Sequence, residues 1–377
     1  MTTEASDASL GRKRRSLRAL IGCVVGVGLL GGLAYQFHIS RKDLLGALQE
    51  ARIGPLLLAA GASFVLLALQ TARWRAVVRP VLPIDFATAY GALSAAFFLN
   101  TVLPARAGTV ARVVAMSRRP GVGTARLSGA ELVDYWVDKC GWVTAFLLVC
   151  LTGRPPSWLW PGMLLLTVLV SGALGLALLW ERAWPPRPEG AGRWRRWFHE
   201  FQSGVNAHQR ASLAQTTVLL APLPWVWESL VLVEAGRSFG LSLTVMAAFA
   251  VLSAFNLGSL VPSPGKVGAF ESAGTLALVL LGVEARTALA FMLLYHLTQL
   301  LPNMVLGALL LGVRGGRFAT GAEGGAPSTP RVTSECLSED AVALGHVPSQ
   351  PFHLGSGSGV RLQDEVTVAH PKAGTVD

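Results

Sequence analysis

The chain has 377 residues, of which 52% are hydrophobic and only 14% are charged. Soluble domains contain about 25% charged residues, so this composition excludes an ordinary soluble globular protein. The net charge of +10 does not indicate a nucleic-acid-binding protein, because the basic residues gather at the ends of long apolar runs, as Lys and Arg do on the cytoplasmic side of membrane proteins.

A helix of about 20 apolar residues is long enough to cross a bilayer. Six runs predict spanning helices: Leu17–Phe37, Ile53–Arg73, Leu127–Leu151, Trp158–Trp180, Leu213–Leu232 and Thr287–Val313. Residues 1–16 form a basic N-terminus, and residues 314–377, which are rich in Gly and Ser, predict a disordered tail. We therefore expect a transmembrane domain over residues 17–313 in the cell membrane, with both termini in the cytoplasm.

Two basic clusters set this orientation. Arg73, Arg75 and Arg79 end or follow the second predicted span and mark its cytoplasmic end. Several arginines between residues 182 and 210 fall in a predicted cytoplasmic loop, where they can contact anionic lipid headgroups.

Two further apolar stretches, Phe86–Leu103 and Leu241–Val261, run into prolines instead of polar loops. If the first stretch crossed the membrane, the cluster of arginines that follows it would lie outside, against the usual distribution of basic residues. A re-entrant hairpin avoids this conflict. It would enter from the cytoplasm, break at Pro104–Gly108 because proline interrupts a helix, and return through Val110–Ser117.

The second stretch resembles the first. SAAFFLNTVLPARAG and SAFNLGSLVPSPGKVG both place aromatic residues and an Asn before a proline, a basic residue and glycines. Counted through the spans, the second hairpin, Leu241–Gly282, enters from the opposite face, as in inverted-repeat transporters whose site lies at the midplane between broken helices. The predicted fold class is an all-α polytopic membrane protein with about six spanning helices, two Pro/Gly-broken re-entrant hairpins and a candidate inverted repeat.

Three acidic residues lie inside the third predicted span, where an Asp costs roughly 2.5–3.5 kcal/mol at the helix centre. Glu131, Asp134 and Asp138 are spaced i, i+3 and i+7, so they share one helix face. The acids either pair with Arg106 and Arg112 and hold the first hairpin in place, or line a hydrated cavity for a charged headgroup. The sequence leaves both roles open.

The second hairpin has its own basic residue beside flexible backbone. Lys266 follows Pro264 and Gly265, where the N-terminus of a half-helix would present N–H groups to an anion. Lys266 therefore suits a phosphate group. The alternative is that it pairs with Glu271 or with Asp138.

Two more ionisable residues lie inside predicted spans. His296 is in the last span, where a histidine is either a packing residue or a proton relay. Glu228, in the segment PWVWES, has no role that the sequence assigns.

These hairpins resemble those of a flippase-like family that includes the transmembrane region of lysylphosphatidylglycerol synthase. The first family motif is approximately N-x-x-x-P-x-R-x-G-E-x-x-R, and here Thr109 replaces its acidic residue. The matching residues are Asn100, Pro104, Arg106, Gly108 and Arg112. On the next helix Asp134 and Asp138 match the family pattern, while Tyr135 stands in place of an arginine.

The second family motif resembles P-x-P-G-G-x-G-x-x-E. Lys266 replaces one of its glycines, and His296 stands where the family has an arginine. The matching residues are Pro262, Pro264, Gly265, Gly268 and Glu271. The resemblance covers most of the chain from Ile53 to Val313.

This resemblance implies a membrane protein that moves a lipid or a lipid-linked headgroup between leaflets. The expected partner is a membrane lipid with a phosphate headgroup, and an enzyme that makes this lipid is a candidate second partner; we expect no nucleic-acid partner, enzymatic activity, cofactor or metal. The residues expected to bind the lipid are Arg106, Arg112, Asp134, Asp138, Lys266, Glu271 and His296. The residues expected at the hairpin tips are Asn100, Pro104, Gly108, Pro262, Pro264, Gly265 and Gly268.

Two other functions stay open at the level of sequence. The chain could be an accessory membrane subunit in which charged pairs serve only folding and assembly. It could also be an intramembrane enzyme acting on lipid phosphates, with Asp134 and Asp138 binding a divalent metal through oxygen ligands.

Overall fold

The computed structural model describes residue 24 and residues 27–102, 107–183, 192–207, 210–259 and 264–320. All regular secondary structure in these segments is helical, which confirms the predicted all-α fold class. Several predictions fall outside the described residues: the first part of the first span, Pro104 and Arg106 at the first tip, Pro262 at the second, and the tail from residue 321 onward.

The described helices are α1 (residues 27–36), α2 (Arg41–Gln49), α3 (Ile53–Val78), α4 (Phe86–Val102), α5 (Ala107–Met116), α6 (Thr124–Val149), α7 (Leu159–Ala183), α8 (Arg193–Val205), α9 (Arg210–Gln215), α10 (Pro222–Gly236), α11 (Val245–Gly258), α12 (Ala269–Leu280) and α13 (Ala285–Thr320). A π-helical turn, Thr216–Leu220, joins α9 to α10. Short 3₁₀ turns lie at Arg237–Phe239 and Pro264–Lys266.

Three helical segments of the described chain are long and apolar enough to cross a membrane: Ile53–Val78, Leu213–Phe239 and Ala285–Leu311. They correspond to three of the six predicted spans. Helix α6 also has 26 residues, but its acidic and basic residues make it less apolar than a typical span. The charges on α6 therefore need partners within the protein.

Two helix ends differ from the sequence prediction. Helix α3 continues to Val78 instead of ending at Arg73, so Arg73 lies inside the helix and its side chain is buried. The predicted end of this helix at Arg73 is therefore five residues too early. Helix α13 continues to Thr320, past the predicted domain boundary at Val313.

Both predicted hairpins consist of two helices separated by a break. Helices α4 and α5 pack against each other on either side of residues 103–106, and α11 packs on α12 on either side of residues 259–268. Gly108 allows the first pair to approach closely, because an added Cβ would overlap the backbone oxygen of Ala96 in α4. In the second pair, Gly265 and Gly268 have φ values of 61° and 90°, in the region that glycine adopts without strain.

The hairpins enter the bundle from opposite ends. The first follows the C-terminal end of α3, which contacts the start of α6 through a hydrogen bond from Trp74 Nε1 to Glu131. The second follows the C-terminal end of α10, which contacts the start of α3 through a backbone hydrogen bond of 2.8 Å from Arg52 N to Ser238 O. The two entry points therefore lie at opposite ends of α3.

The turn of the second hairpin lies next to the last residues of α4 in the first. The turn at Pro264–Lys266 packs on α4, and a Cβ built on Gly265 would lie 3.6 Å from Thr101 Cγ2 and 3.7 Å from Leu300 Cδ1. Thr101 is next to the last residue of α4, just before the break of the first hairpin. The end of α4 and the turn at Pro264–Lys266 are thus neighbours, as expected for helical hairpins that line a common site.

Residues 193–205, which the sequence places in a basic loop, form helix α8 instead. This helix packs along the N-terminal part of α6, where Gly129 and Gly204 face the partner helix with no room for a side chain. Small residues at such points let two helix backbones approach closely.

Candidate functional site

A buried ionic network joins α3 to α6. Arg73 Nε lies 3.2 Å from Asp134 Oδ1, and Arg73 Nη1 contacts Asp138 Oδ1. Lys139 Nζ lies 2.8 Å from the other oxygen of Asp138. A guanidinium group can serve two carboxylates at once because its five N–H donors form a rigid, planar fork. Two basic and two acidic residues therefore balance in a region that water reaches poorly.

A second ionic contact fastens the return helix of the first hairpin. Arg112 Nη2 in α5 lies 2.6 Å from Glu131 Oε2 in α6, and Trp74 Nε1 donates to Glu131 Oε1 at 2.9 Å. The guanidinium of Arg112 also lies 4.4 Å from the ring centroid of Trp74, within the range of a cation–π interaction. Helices α3, α5 and α6 are thereby joined through three side chains.

Lys139 lies beside an aromatic cluster between α6 and α10. Its ammonium nitrogen is 5.2 Å from the ring centroids of both Trp142 and Trp225. These two indole rings stack on each other with centroids 4.6 Å apart, and Trp142 Nε1 donates to Ser253 Oγ at 3.0 Å. The stacked rings of Trp142 and Trp225 therefore lie between the ionic network and the second hairpin.

The second hairpin is held by one carboxylate. Glu271, in the first turn of α12, lies with Oε1 2.6 Å from His296 Nδ1 in α13, while the backbone N–H of Gly268 donates to Oε2 at 2.7 Å. The imidazole stacks on Phe270 with centroids 4.2 Å apart. Glu271 therefore caps its own helix and fastens it to α13. His296 thus packs on Phe270 and contacts Glu271, and its two proposed roles stay predictions.

The first hairpin is closed by its asparagine. Asn100 Oδ1 accepts a hydrogen bond of 3.2 Å from the backbone N–H of Thr109, and its amide nitrogen lies 3.4 Å from Thr109 Oγ1. The threonine that replaces the acidic residue of the family motif thus bonds within the hairpin. Beyond this tip, Lys266 has an exposed side chain and a φ of 63°, an uncommon value for a residue with a Cβ.

The sequence predicts that Lys266 pairs with Glu271 or with Asp138, and in the structure both carboxylates bind other groups. Glu271 binds His296 and the N–H of Gly268, and Asp138 binds Arg73 and Lys139. The sequence predicted Arg106 and Arg112 as partners of the acids on α6. Arg112 pairs with Glu131, and the two aspartates pair with Arg73. Arg106 lies outside the described residues.

Glu228 lies in α10 between the two charged regions. Its carboxylate interacts electrostatically with Lys266 at the second tip and with Asp138 in the ionic network, and its charge also acts on Tyr295 of α13. Within the described segments, Glu228 forms neither an ion pair nor a hydrogen bond through its side chain. A carboxylate in a spanning helix is costly and marks a candidate functional position.

Buried hydrogen-bonding atoms accompany Glu228. Trp225 Nε1 on the same helix is buried without a hydrogen-bond partner in the described chain. Tyr295 Oη on α13 is also buried. Buried polar atoms without partners are uncommon in proteins, so this region has hydrogen-bonding capacity that a polar ligand can use.

Sequence reasoning missed Arg73 and Lys139 and assigned no role to Glu228. Arg73 stands next to Arg75 and Arg79, which favours a position at the end of the span, although the apolar residues after it indicate that the helix continues. Lys139 directly follows Asp138, and its position gives no sign of its partners. Glu228 could have been recognised as a candidate functional residue, because it is a single acidic residue within an apolar run.

The acidic residues do not form a metal site in the described part of the chain. No group of three His, Cys, Asp or Glu side chains converges there. Asp134 and Asp138, the candidate metal ligands, direct carboxylate oxygens at the guanidinium of Arg73. A divalent ion such as Mg²⁺ needs near-ideal octahedral oxygen coordination, which this guanidinium-occupied pair does not offer.

The chain is similar to a known protein family. The family model described as the lysylphosphatidylglycerol synthase TM region matches residues 19–307 of the chain. No curated protein matches the chain.

Proposed function

The chain belongs to the family of the lysylphosphatidylglycerol synthase TM region, and from this premise we propose that it translocates a membrane lipid with a phosphate headgroup between leaflets. The observation that carries the proposal is the close approach of the two hairpins, where a Cβ on Gly265 would lie 3.6 Å from Thr101. Broken helices bring backbone N–H and C=O groups to membrane depth, which proteins tolerate where these groups line a cavity.

The charges around this meeting point support a headgroup as the ligand. Lys266 and Arg106 belong to the two tips, and a basic side chain beside irregular backbone suits a phosphate. Glu228 supplies an acidic group on the facing helix, and Tyr295 and Trp225 supply hydrogen-bonding atoms. A headgroup that carries a phosphate and a neighbouring hydrogen-bond donor would bind both the basic residues of the tips and the acidic and polar residues of α10 and α13.

The energetic problem of translocation is to carry a charged headgroup across a hydrocarbon layer, where a charge costs several kcal/mol or more. The proposed path replaces water with side chains on α10, α13 and the hairpin tips. The ionic network of Arg73, Asp134 and Asp138 would form one rigid wall of this path. We infer that the chain acts without catalysing a reaction, and that its termini lie in the cytoplasm, as its basic residues favour.

The test is a measurement of leaflet exchange in proteoliposomes with headgroup-labelled phosphatidylglycerol, phosphatidylethanolamine and phosphatidylcholine. Glu228→Gln removes one charge with little change of shape, and Glu234→Gln on the same helix is the matched control, since Glu234 pairs with Arg237 near the helix end. We expect roughly tenfold slower exchange for Glu228→Gln, the effect of ~1.4 kcal/mol on a barrier, and no change for the control. Arg106→Ala and Asp138→Asn extend the test to the first hairpin.

A second function is favoured by one observation. The acids of α6 are already neutralised by Arg73, Arg112 and Lys139, as expected of an accessory subunit in which charged pairs serve only assembly. Exchange no faster than in protein-free liposomes, for every labelled lipid and with a folded protein, would favour this reading over translocation.

A further inference from the structure

Helix α8 carries a surface that the proposed translocation path does not use. Trp194, Trp197, Phe198 and Phe201 are spaced i, i+3, i+4 and i+7, which places the four aromatic side chains on one face. Arg193, Arg195 and Arg196 stand between and beside them. Residues 192–197 are all exposed, and Trp194 is 82% exposed.

The C-terminal half of α8 is fixed to the bundle. Gly204 packs against the backbone of Arg126, and Gly129 packs against the backbone of Phe201 and Val205. These contacts run in parallel along the two helices, since Glu200 lies near Gly123 and Val205 lies near Val133. The N-terminal half of α8 therefore extends beyond the start of α6.

This arrangement places the exposed half of α8 at the level of the α5–α6 turn. That turn contains Arg118 and Arg119, and α6 begins at Thr124. The end of a spanning segment is the region where lipid headgroups lie, and Trp side chains are enriched at that level. At that level the aromatic residues and arginines of α8 would lie at the height of the lipid phosphates.

We propose that the segment Arg193–Trp197 of α8 is a binding surface for anionic phospholipid headgroups, with Trp194 and Trp197 anchored in the interface and Arg193, Arg195 and Arg196 on lipid phosphates. A helix with a basic face and an aromatic face lies in the membrane interface, and its binding strengthens with anionic lipid. The three guanidinium groups form no ion pair with any acidic side chain in the described segments, and Glu200 is the one acidic residue of the helix. Their charge is therefore available to the membrane.

The surface is independent of translocation. Binding at α8 can be measured whether or not the chain moves lipid.

The test compares the association of spin-labelled phosphatidylglycerol and spin-labelled phosphatidylcholine with the full chain reconstituted in vesicles. The variant is Arg193→Glu/Arg195→Glu/Arg196→Glu. The matched control is Arg41→Glu/Lys42→Glu/Arg52→Glu, which reverses three exposed charges at the opposite end of α3. We expect the preference for phosphatidylglycerol to fall about fivefold or more in the variant, because each basic residue near an anionic surface adds attraction. We expect the control to retain it.

The unmodified chain provides a second measurement in case the variant does not fold. At 1 M salt the Debye length is about 3 Å, so the preference should fall to the level expected for the variant. Equal losses in the variant and the control, or a preference that salt does not change, would overturn the proposal. Equal association of both labelled lipids at low salt would also overturn it, and would point to an acidic protein as the partner of this surface.

Discussion

The two helical hairpins share one architecture but are held in place by different kinds of charge. The first is fastened by Arg112 and Glu131, next to a network in which Arg73 serves two aspartates. In the second, Glu271 of α12 contacts His296 of α13. The guanidinium of an arginine offers five N–H donors in a rigid fork, whereas His296 meets Glu271 through one ring nitrogen.

This difference suggests unequal rigidity. Breaking the buried network at Arg73 leaves Asp134 without a counter-charge and Asp138 with Lys139 alone, so the first hairpin and its neighbours resist movement. The second hairpin is fastened to α13 through one carboxylate and an aromatic stack, and Gly265, Lys266 and Gly268 at its tip have positive φ. Within the proposed translocation path, we expect the second hairpin to move and the first to act as the fixed wall.

The largest effect is expected for Arg73→Met. The substitution leaves Asp134 and Asp138 buried beside Lys139 alone, and removal of one partner from a buried ionic pair costs about 3–5 kcal/mol. The free energy of unfolding in detergent, followed by circular dichroism during denaturation, measures the loss. Arg79→Met, at an exposed position just after α3, is the control and should cost less than about 0.5 kcal/mol.

A triple variant sharpens the same prediction. If the cost comes from uncompensated charge, Arg73→Met/Asp134→Asn/Asp138→Asn should regain part of the lost stability. A triple variant no more stable than Arg73→Met would show that packing of the arginine side chain, and not its charge, supports the bundle.

A smaller effect is expected at the second hairpin. His296→Phe keeps an aromatic ring on Phe270 but removes the partner of Glu271, and the loss of a hydrogen bond to a charged group costs about 1.5–3 kcal/mol. The double variant Glu271→Gln/His296→Phe completes a double-mutant cycle. A coupling energy near zero would contradict the direct contact, and a cost equal to that of Arg73→Met would remove the contrast between the hairpins.

The first hairpin is closely packed at Gly108. We expect Gly108→Ala to lower the free energy of unfolding by a similar or smaller amount than His296→Phe. The new methyl group would overlap the backbone of Ala96, and overpacking of this kind costs about 1–3 kcal/mol. Gly61→Ala in α3 is the control, because no atom lies within 4 Å of its added Cβ, and alanine there should stabilise the helix by up to about 1 kcal/mol. Thermal unfolding of both variants in one detergent measures the difference in sign.

The smallest effect is expected where the first hairpin begins. Asp85 accepts a hydrogen bond of 2.9 Å from the backbone N–H of Thr88 and one of 2.6 Å from its hydroxyl, and these bonds lower the pKa of the carboxyl group. Because the carboxyl is exposed, we expect Asp85→Ala to cost about 1 kcal/mol or less, as for other helix N-caps.

The pH dependence of this cap has a definite sign. A carboxyl with a lowered pKa in the folded state stabilises the fold above its unfolded pKa, about 3.9, and loses that contribution as the pH falls through the folded value. The difference in unfolding free energy between the native chain and Asp85→Ala should therefore be constant near neutral pH and shrink in acid. A difference that grows in acid would contradict this role.

The sequence alone determined the class of the protein and the position of both hairpins. Long apolar runs fix a helical membrane fold because only helices and closed barrels satisfy backbone hydrogen bonds in lipid. Pro104 and Gly265 signal the breaks, since proline and glycine interrupt helices locally. The shared face of Asp134 and Asp138 also follows from the helical period.

Only the tertiary structure decided which charges meet. Arg73 and Asp134 are 61 residues apart, and Glu271 and His296 are 25 apart. The helical period orders residues within one helix but carries no information about the rotation of one helix against another, which depends on packing at positions such as Gly129 and Gly204. For that reason the sequence revealed the candidate charges, and the packing of the helices selected their partners.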